Sequence, residues 1–104
     1  MKSLRRSDDF NTDAQREWVY LHQFGEPLAD RFIDCVEDSL RLLARQPGLG
    51  HPGRYRHPRL AGLQAWPVGK TFSDWLVFYW GHPDFVHLFR LVHGARDLAR
   101  RWVD

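Results

Sequence analysis

The hydrophobic residues of this chain change their spacing about halfway along it, and that change restricts the folds it can adopt. From Pro27 to Arg45, apolar side chains recur every three or four residues, which is the period of an amphipathic helix. From Leu63 onward, short apolar and aromatic runs are separated by turn residues, which is typical of strands. Helices followed by strands, rather than alternating with them, favour an α+β fold.

The first half of the sequence predicts a helical hairpin. Thr12-Asp13-Ala14-Gln15 has the pattern of a capping box, which predicts a first helix from about Asp13 to Phe24. Gly25 is expected to end that helix, because glycine readily adopts the conformation found at helix C-termini. Pro27 suits the first turn of a second helix that continues to Arg45.

The second half predicts an antiparallel sheet. Strands are expected at Leu63 to Val68, Trp75 to Trp80 and Phe85 to Val92, and Lys2 to Ser7 is a weaker strand candidate. Pro67 requires the first of these strands to be an edge or bulged strand. We therefore predict one domain over residues 1–104, with an α+β fold. A helical hairpin packs on a curled antiparallel sheet of three to four strands, followed by a short C-terminal helix.

One face of this sheet is expected to lack a covering layer. The run Trp75 to Trp80 is apolar at successive positions, so both faces of that strand are hydrophobic and both should be covered. The two predicted helices can cover only one of these faces well. The chain also holds five tryptophans, a residue type enriched at interfaces. The second face is thus predicted to form a groove that a partner fills.

The charges are distributed unevenly, although the formal net charge is only +2. Residues 8–38 contain nine of the 13 acidic residues, whereas residues 39–73 contain none. That acid-free stretch carries several cations: Arg41, Arg45, Arg54, Arg56, Arg59 and Lys70. A stretch of one sign predicts an anionic partner, either nucleic acid or an acidic protein segment. The alternative is a solvated loop.

Several classes of protein are disfavoured by composition. The single cysteine, Cys35, excludes an internal disulfide and a cysteine-based zinc site. His82 and His87 lie close in sequence but no carboxylate cluster accompanies them, so we expect neither a metal nor another cofactor. No long apolar run and no signal-like N-terminus is present. We therefore expect a cytoplasmic protein that does not contact the membrane.

The end of the last predicted strand concentrates polar residues. Arg90, His93, Gly94, Arg96 and Asp97 fall within eight positions, at a strand end where small folds often place functional groups. Cleavage of RNA needs a base, an acid and cations. The residues that could supply these types are His93, His57, Lys70, Arg90 and the cluster of Arg54, Arg56 and Arg59. The alternative is a strand-to-helix corner held by polar contacts, with Asp97 pairing with Arg90 or Arg96.

Three segments resemble the RelE/ParE superfamily of bacterial toxins, and its ParE branch in particular. They are residues 25–50, residues 62–68 together with 77–79, and residues 90–97 (Arg-Leu-Val-His-Gly-Ala-Arg-Asp). Gln64 and Trp80 depart from the family pattern, which commonly has arginine there. Glu17-Trp18 likewise replaces a usual Asp-Leu pair.

The resemblance implies a toxin of a type II toxin–antitoxin system that inhibits DNA gyrase. It further implies neutralisation by a ParD-like antitoxin with an acidic or amphipathic C-terminal segment, and no small-molecule substrate. The alternatives are a RelE-like mRNA interferase using Arg90 and His93, or an inactive binding module. The predicted gyrase-binding residues are Arg96, Arg100, Arg101 and Trp102. The predicted antitoxin-binding residues are Arg54, Arg56, Arg59, Trp66, Lys70, Trp75 and Trp80.

Overall fold

The computed structural model describes residues 1–94. Its helices are α1 (Asp8–His22) and α2 (Glu26–Arg45), with short 3-10 helices at Pro47–Leu49 and Pro58–Leu60. Its strands are β1 (Ser3–Arg6), β2 (His51–Pro52), β3 (Gln64–Pro67), β4 (Trp75–Gly81) and β5 (Phe85–His93). The predicted C-terminal helix and the predicted gyrase-binding residues lie outside the described residues, as does Asp97.

The strands form one sheet in the order β1-β5-β4-β3-β2, and the helical hairpin packs on one of its faces. The predicted α+β fold is confirmed. The sheet has five strands rather than three or four, and it is mixed, because β1 runs parallel to β5. A parallel pair requires a long connection, and here the whole chain from α1 to β4 separates the two strands.

Helix α1 begins five residues earlier than the capping-box pattern predicts, so that prediction is wrong. The N-cap is Ser7, whose hydroxyl accepts a hydrogen bond from the backbone N–H of Phe10 at 3.0 Å. The same hydroxyl donates to the carbonyl of Phe89 at 2.7 Å. Thr12 is exposed within the helix. Ser7 followed by Asp8 and Asp9 is also an N-cap pattern, and the contact with the sheet selects it over Thr12.

The main core lies between the helical hairpin and the inner face of the sheet. Phe32 is fully buried on α2, and its ring packs edge-on against Phe72 and Trp75, with centroids 5.2 and 5.4 Å away. Of the side chains that we predict to lie in this core, Trp18 is half-buried, and the others are buried: Phe10, Leu21, Phe32, Val36, Leu40, Leu43, Val77 and Leu88. Cys35 is also half-buried, at the margin of the apolar stripe of α2.

Candidate functional site

The outer face of the sheet, opposite the helices, is partly covered by the chain itself, which differs from the open face we predicted. Leu60 and Leu63 from the loop between β2 and β3 pack on Phe78 and Val92 to form a second, smaller core. The indole N–H of Trp80 donates to the carbonyl of Ala61 at 3.0 Å and fastens this loop to β4. The remaining open part of the face is a groove beside the loop.

This outer groove encloses about 650 Å³ between the loop, the start of α1 and the outer face of β4 and β5. Its lining residues are Ser7, Asp9, Arg56, His57, Arg59, Leu60, Trp80, His87 and Phe89. Its floor is aromatic, since the Trp80 ring lies 4.9 Å from the Phe89 ring and 5.3 Å from the His87 ring.

Cations from the loop stand at one side of the outer groove. Arg56 and Arg59 are exposed, and both belong to the acid-free stretch of residues 39–73. His57 is fixed beside them, because its Nδ1 accepts a hydrogen bond from the backbone N–H of Arg59 at 3.1 Å. Asp9 is the acidic member of the lining. The groove thus combines an apolar floor with a predominantly basic side.

The outer groove continues along β5 into a smaller pocket with which it shares Ser7 and His87. There the guanidinium of Arg5 lies 3.8 Å above the ring of Phe85, a cation–π contact. The ring of His82 stacks on the same Phe85 ring, with the two ring centroids 4.3 Å apart. Burial, and then the nearby His82, lowers the pKa of His87, which favours its neutral, ring-stacking form.

The residues predicted to bind an antitoxin do not share one surface. Arg56, Arg59 and Trp80 line the outer groove. Trp66 and Lys70 line a second groove of about 500 Å³ that also includes Cys35 and Ser39 of α2. Arg54 is exposed and lines neither groove.

Trp75 lies on the inner face of the sheet, contrary to our grouping of it with Trp80. Its indole N–H donates to Oε1 of the buried Glu17 at 2.9 Å, and its ring is 4.6 Å from that of His93. The reason is the alternation of side chains along a strand, which sends odd and even positions of β4 to opposite faces. The sequence alone did not indicate whether the odd or the even positions of β4 would face the helices.

Arg90 is engaged by a residue that the sequence reasoning missed. Its Nε and Nη2 donate to the two carboxylate oxygens of Asp13 at 2.7 and 2.9 Å, and the backbone N–H of Leu91 donates to the same carboxylate at 3.0 Å. Asp13 is only 2% exposed. These hydrogen bonds raise the pKa of Arg90. The predicted pairing of Arg90 with Asp97 involves a residue outside the described range.

A β-bulge places Arg90 at this contact. Phe78 pairs with Arg90 and Tyr79 with Leu88, so Phe89 is an extra residue in β5. One sequence signal pointed to the buried acids of α1. Phe10 and Leu21 lie on the face of α1 that packs in the core, and Asp13 and Glu17 follow Phe10 on that face at i+3 and i+7. Acidic residues at such positions, where apolar side chains are usual, indicate that the carboxylates are buried and paired.

Residues 1–94 contain neither a candidate metal site nor a candidate membrane-spanning helix. In this range, no three histidine, cysteine, aspartate or glutamate side chains are grouped closely enough to hold a metal ion. Neither of the helices in the described part of the chain is long and apolar enough to cross a membrane.

These features define a small α+β domain with a helical hairpin, a mixed sheet and a basic-aromatic outer groove. The family model for the ParE toxin of the type II toxin–antitoxin system parDE matches residues 4–98. The match covers nearly the whole chain, and the protein belongs to this toxin family.

A solved structure described as a chromosomal ParDE TA system from P. aeruginosa has a similar fold. The two share 14% sequence identity and superpose with a TM-score of 0.68, over 89% of this chain and 96% of that chain. At this identity the likeness concerns the fold. No curated protein sequence gives a significant match to this chain.

Proposed function

We propose that this protein is a toxin that inhibits DNA gyrase in the cytoplasm and is neutralised by a cognate antitoxin. Membership of the ParE family, over residues 4–98, is the observation that carries the proposal. Inhibition would be a binding event in which the toxin favours one state of gyrase, with DNA already cleaved, over the others. The chain would then break no bond itself.

The contacts of Arg90 and His93 support this proposal over RNA cleavage. A nuclease would need both side chains at the scissile phosphate. Arg90 instead holds the buried carboxylate of Asp13, and its side chain is 18% exposed. His93 packs edge-on against Trp75 on the inner face of the sheet. Both residues therefore have a role in holding α1 and β4 to the last strand.

The antitoxin is proposed to place an amphipathic or acidic segment in the outer groove. Its apolar side chains would pack on Trp80 and Phe89, and its carboxylates would meet Arg56 and Arg59. Rim charges of this kind chiefly raise association rates and make them depend on salt. A segment that continues around the β2–β3 side of the sheet would also reach Trp66 and Lys70.

Gyrase contact is assigned to the C-terminal residues. Arg96, Arg100 and Arg101 accompany Trp102, and arginine with tryptophan is the composition enriched among residues that dominate binding energy. These positions are outside the described residues, so the assignment is a proposal from sequence.

The deciding experiment uses purified toxin free of antitoxin. Gyrase incubated with supercoiled plasmid and toxin should accumulate linear DNA that is covalently linked to protein. Translating ribosomes treated with the same toxin should retain intact mRNA. Cut mRNA with unaffected gyrase would contradict the proposal and favour the interferase. No effect in either assay would favour an inactive binding module.

A further inference from the structure

The outer face of β5 carries a row of rings that the second core explains only in part, since Phe89 and Trp80 pack against that core and remain half-buried. Phe85, His87 and Phe89 are alternate residues of this strand, all half-buried, and Trp80 of β4 lies beside the last two. Alternate residues of a strand are separated by roughly 6.6 Å, so the row from Phe85 to Phe89 extends over about 13 Å. Half-buried rings of this kind offer part of their surface to a ligand.

Cations lie at both ends of this row. Arg5 stands over Phe85 at one end, and Arg56 with Arg59 borders the groove at the other. All three arginines are exposed. Asp9 is the acidic residue of the outer groove lining. The positive charge is therefore divided between the two ends of the row of rings rather than gathered at one point.

We propose that the outer groove binds single-stranded DNA. A basic groove that follows the backbone, combined with aromatic side chains on which successive bases stack, is the arrangement that binds unpaired strands. Duplex DNA offers no free base faces to the rings, because its bases are already stacked on one another. The choice of DNA over RNA rests on the proposed function, since a gyrase-bound toxin would meet DNA whose strands have been cleaved.

Antitoxin binding in the outer groove would also compete with the DNA strand. The acidic segment and the DNA strand would use the same arginines and the same indole, because both are anions with apolar or aromatic surfaces. Antitoxin bound in the outer groove would then exclude DNA from it. Neutralisation would occur by occupation of the groove, without any change in the fold of the toxin.

The test measures binding of the full-length toxin, free of antitoxin, to a fluorescein-labelled oligo(dT) 12-mer by fluorescence anisotropy. The same measurement is made with oligo(rU) of equal length and with a 12-base-pair DNA duplex. We expect oligo(dT) to bind more tightly than either. Tighter binding of oligo(rU), or equal binding of the duplex, would overturn the proposal.

Two variants locate the binding to the outer groove. Replacing both arginines (Arg56→Gln with Arg59→Gln) should reduce the slope of log K against log salt by about 1.4, because each phosphate contact on a single strand contributes about 0.7. The matched control replaces Arg31 and Arg41 by Gln, both exposed on α2, with the same loss of charge. An equal effect of the control pair would show non-specific attraction and overturn the proposal.

Trp80→Ala tests the stacking. It should weaken oligo(dT) binding roughly 5- to 150-fold, the equivalent of about 1–3 kcal/mol for one stacked base. Trp80 also fastens the loop to β4, so the circular dichroism spectrum and thermal midpoint of the variant are recorded alongside. Folded Trp80→Ala with unchanged affinity would overturn the proposal.

The DNA-binding test and the gyrase assay can fail independently of each other. Toxin that inhibits gyrase but does not bind oligo(dT) would refute the DNA-binding groove and leave gyrase inhibition standing. Toxin that binds oligo(dT) through Arg56, Arg59 and Trp80 without affecting gyrase would support the groove and refute gyrase inhibition.

Discussion

At the residue scale, one tyrosine holds the segment between α2 and β2, which leads into the loop that borders the outer groove. Tyr79 is fully buried, and its hydroxyl donates to the carbonyl of Pro47 at 2.6 Å while accepting from the N–H of Gly50 at 2.8 Å. A side chain at position 50 would lie within 2.7 Å of ring carbon Cε1 of Tyr79, so only glycine fits there. Burial raises the pKa of Tyr79, which keeps its hydroxyl protonated and able to donate.

Tyr79→Phe is expected to lower the free energy of unfolding by about 1–3 kcal/mol, because a buried N–H and a partly buried carbonyl lose their partner. Urea denaturation measures the change. Tyr20→Phe is the matched control: Tyr20 is 42% exposed and the substitution keeps its ring contact with Phe24. Its effect should stay within about 0.5 kcal/mol. Equal effects of the two changes would show that the hydroxyl contacts of Tyr79 contribute no stability.

At the scale of elements, α1 is positioned by a cap that also contacts the sheet. Ser7 bonds to Phe10 within the helix and to Phe89 across the fold. The N–H of Ser7 donates to the carbonyl of Leu88 at 3.0 Å, which continues the β1–β5 pairing up to the first turn of the helix. The strand and the helix are therefore joined without a flexible connection.

Ser7→Ala should cost about 1–2 kcal/mol of stability, since the helix loses its cap and the Phe89 carbonyl loses a donor. Thr12→Ala tests the position that the sequence pattern had favoured. Because Thr12 is exposed in the middle of α1, its replacement should change stability by less than about 0.5 kcal/mol. Thermal unfolding followed by circular dichroism compares the two. A larger loss for Thr12→Ala would contradict the assignment of the cap to Ser7.

At the scale of the whole molecule, a single carboxylate connects the first helix to the last strand. β1 pairs with β5 only up to Leu88, and beyond that point α1 lies along the edge of β5. Asp13 satisfies the edge N–H of Leu91 and binds the side chain of Arg90 at the bulge. The two ends of the described chain are held together there.

Asp13→Asn is expected to cost about 2–4 kcal/mol, because it leaves a largely buried guanidinium without its counter-charge. The control is Asp38→Asn, which removes the carboxylate that pairs with Arg41 in an i,i+3 contact on the surface of α2. Since the Asp38 side chain is 72% exposed, the loss should be less than about 1 kcal/mol. Equal losses in urea titrations would argue against a structural role for the Asp13–Arg90 pair.

The sequence by itself determined the helical hairpin, three of the strands and the basic stretch. The apolar periodicity of α2 and the run Trp75 to Trp80 with its flanking turn residues are local patterns, and each favours one backbone conformation through residues that are close in sequence. The family resemblance rested on segments that overlap these same elements, which is why the α+β fold and the toxin family were both predicted correctly.

Only the tertiary structure decided the start of α1, the parallel pairing of β1, and the faces of the tryptophans. Each depends on residues distant in sequence: Ser7 on Phe89, Asp13 on Arg90, and Trp75 on Glu17. The division of the predicted binding set into two grooves has the same origin. Successive side chains of a strand point to opposite faces of the sheet, and this follows from the sequence. Which of the two faces the helices cover is determined by packing between elements.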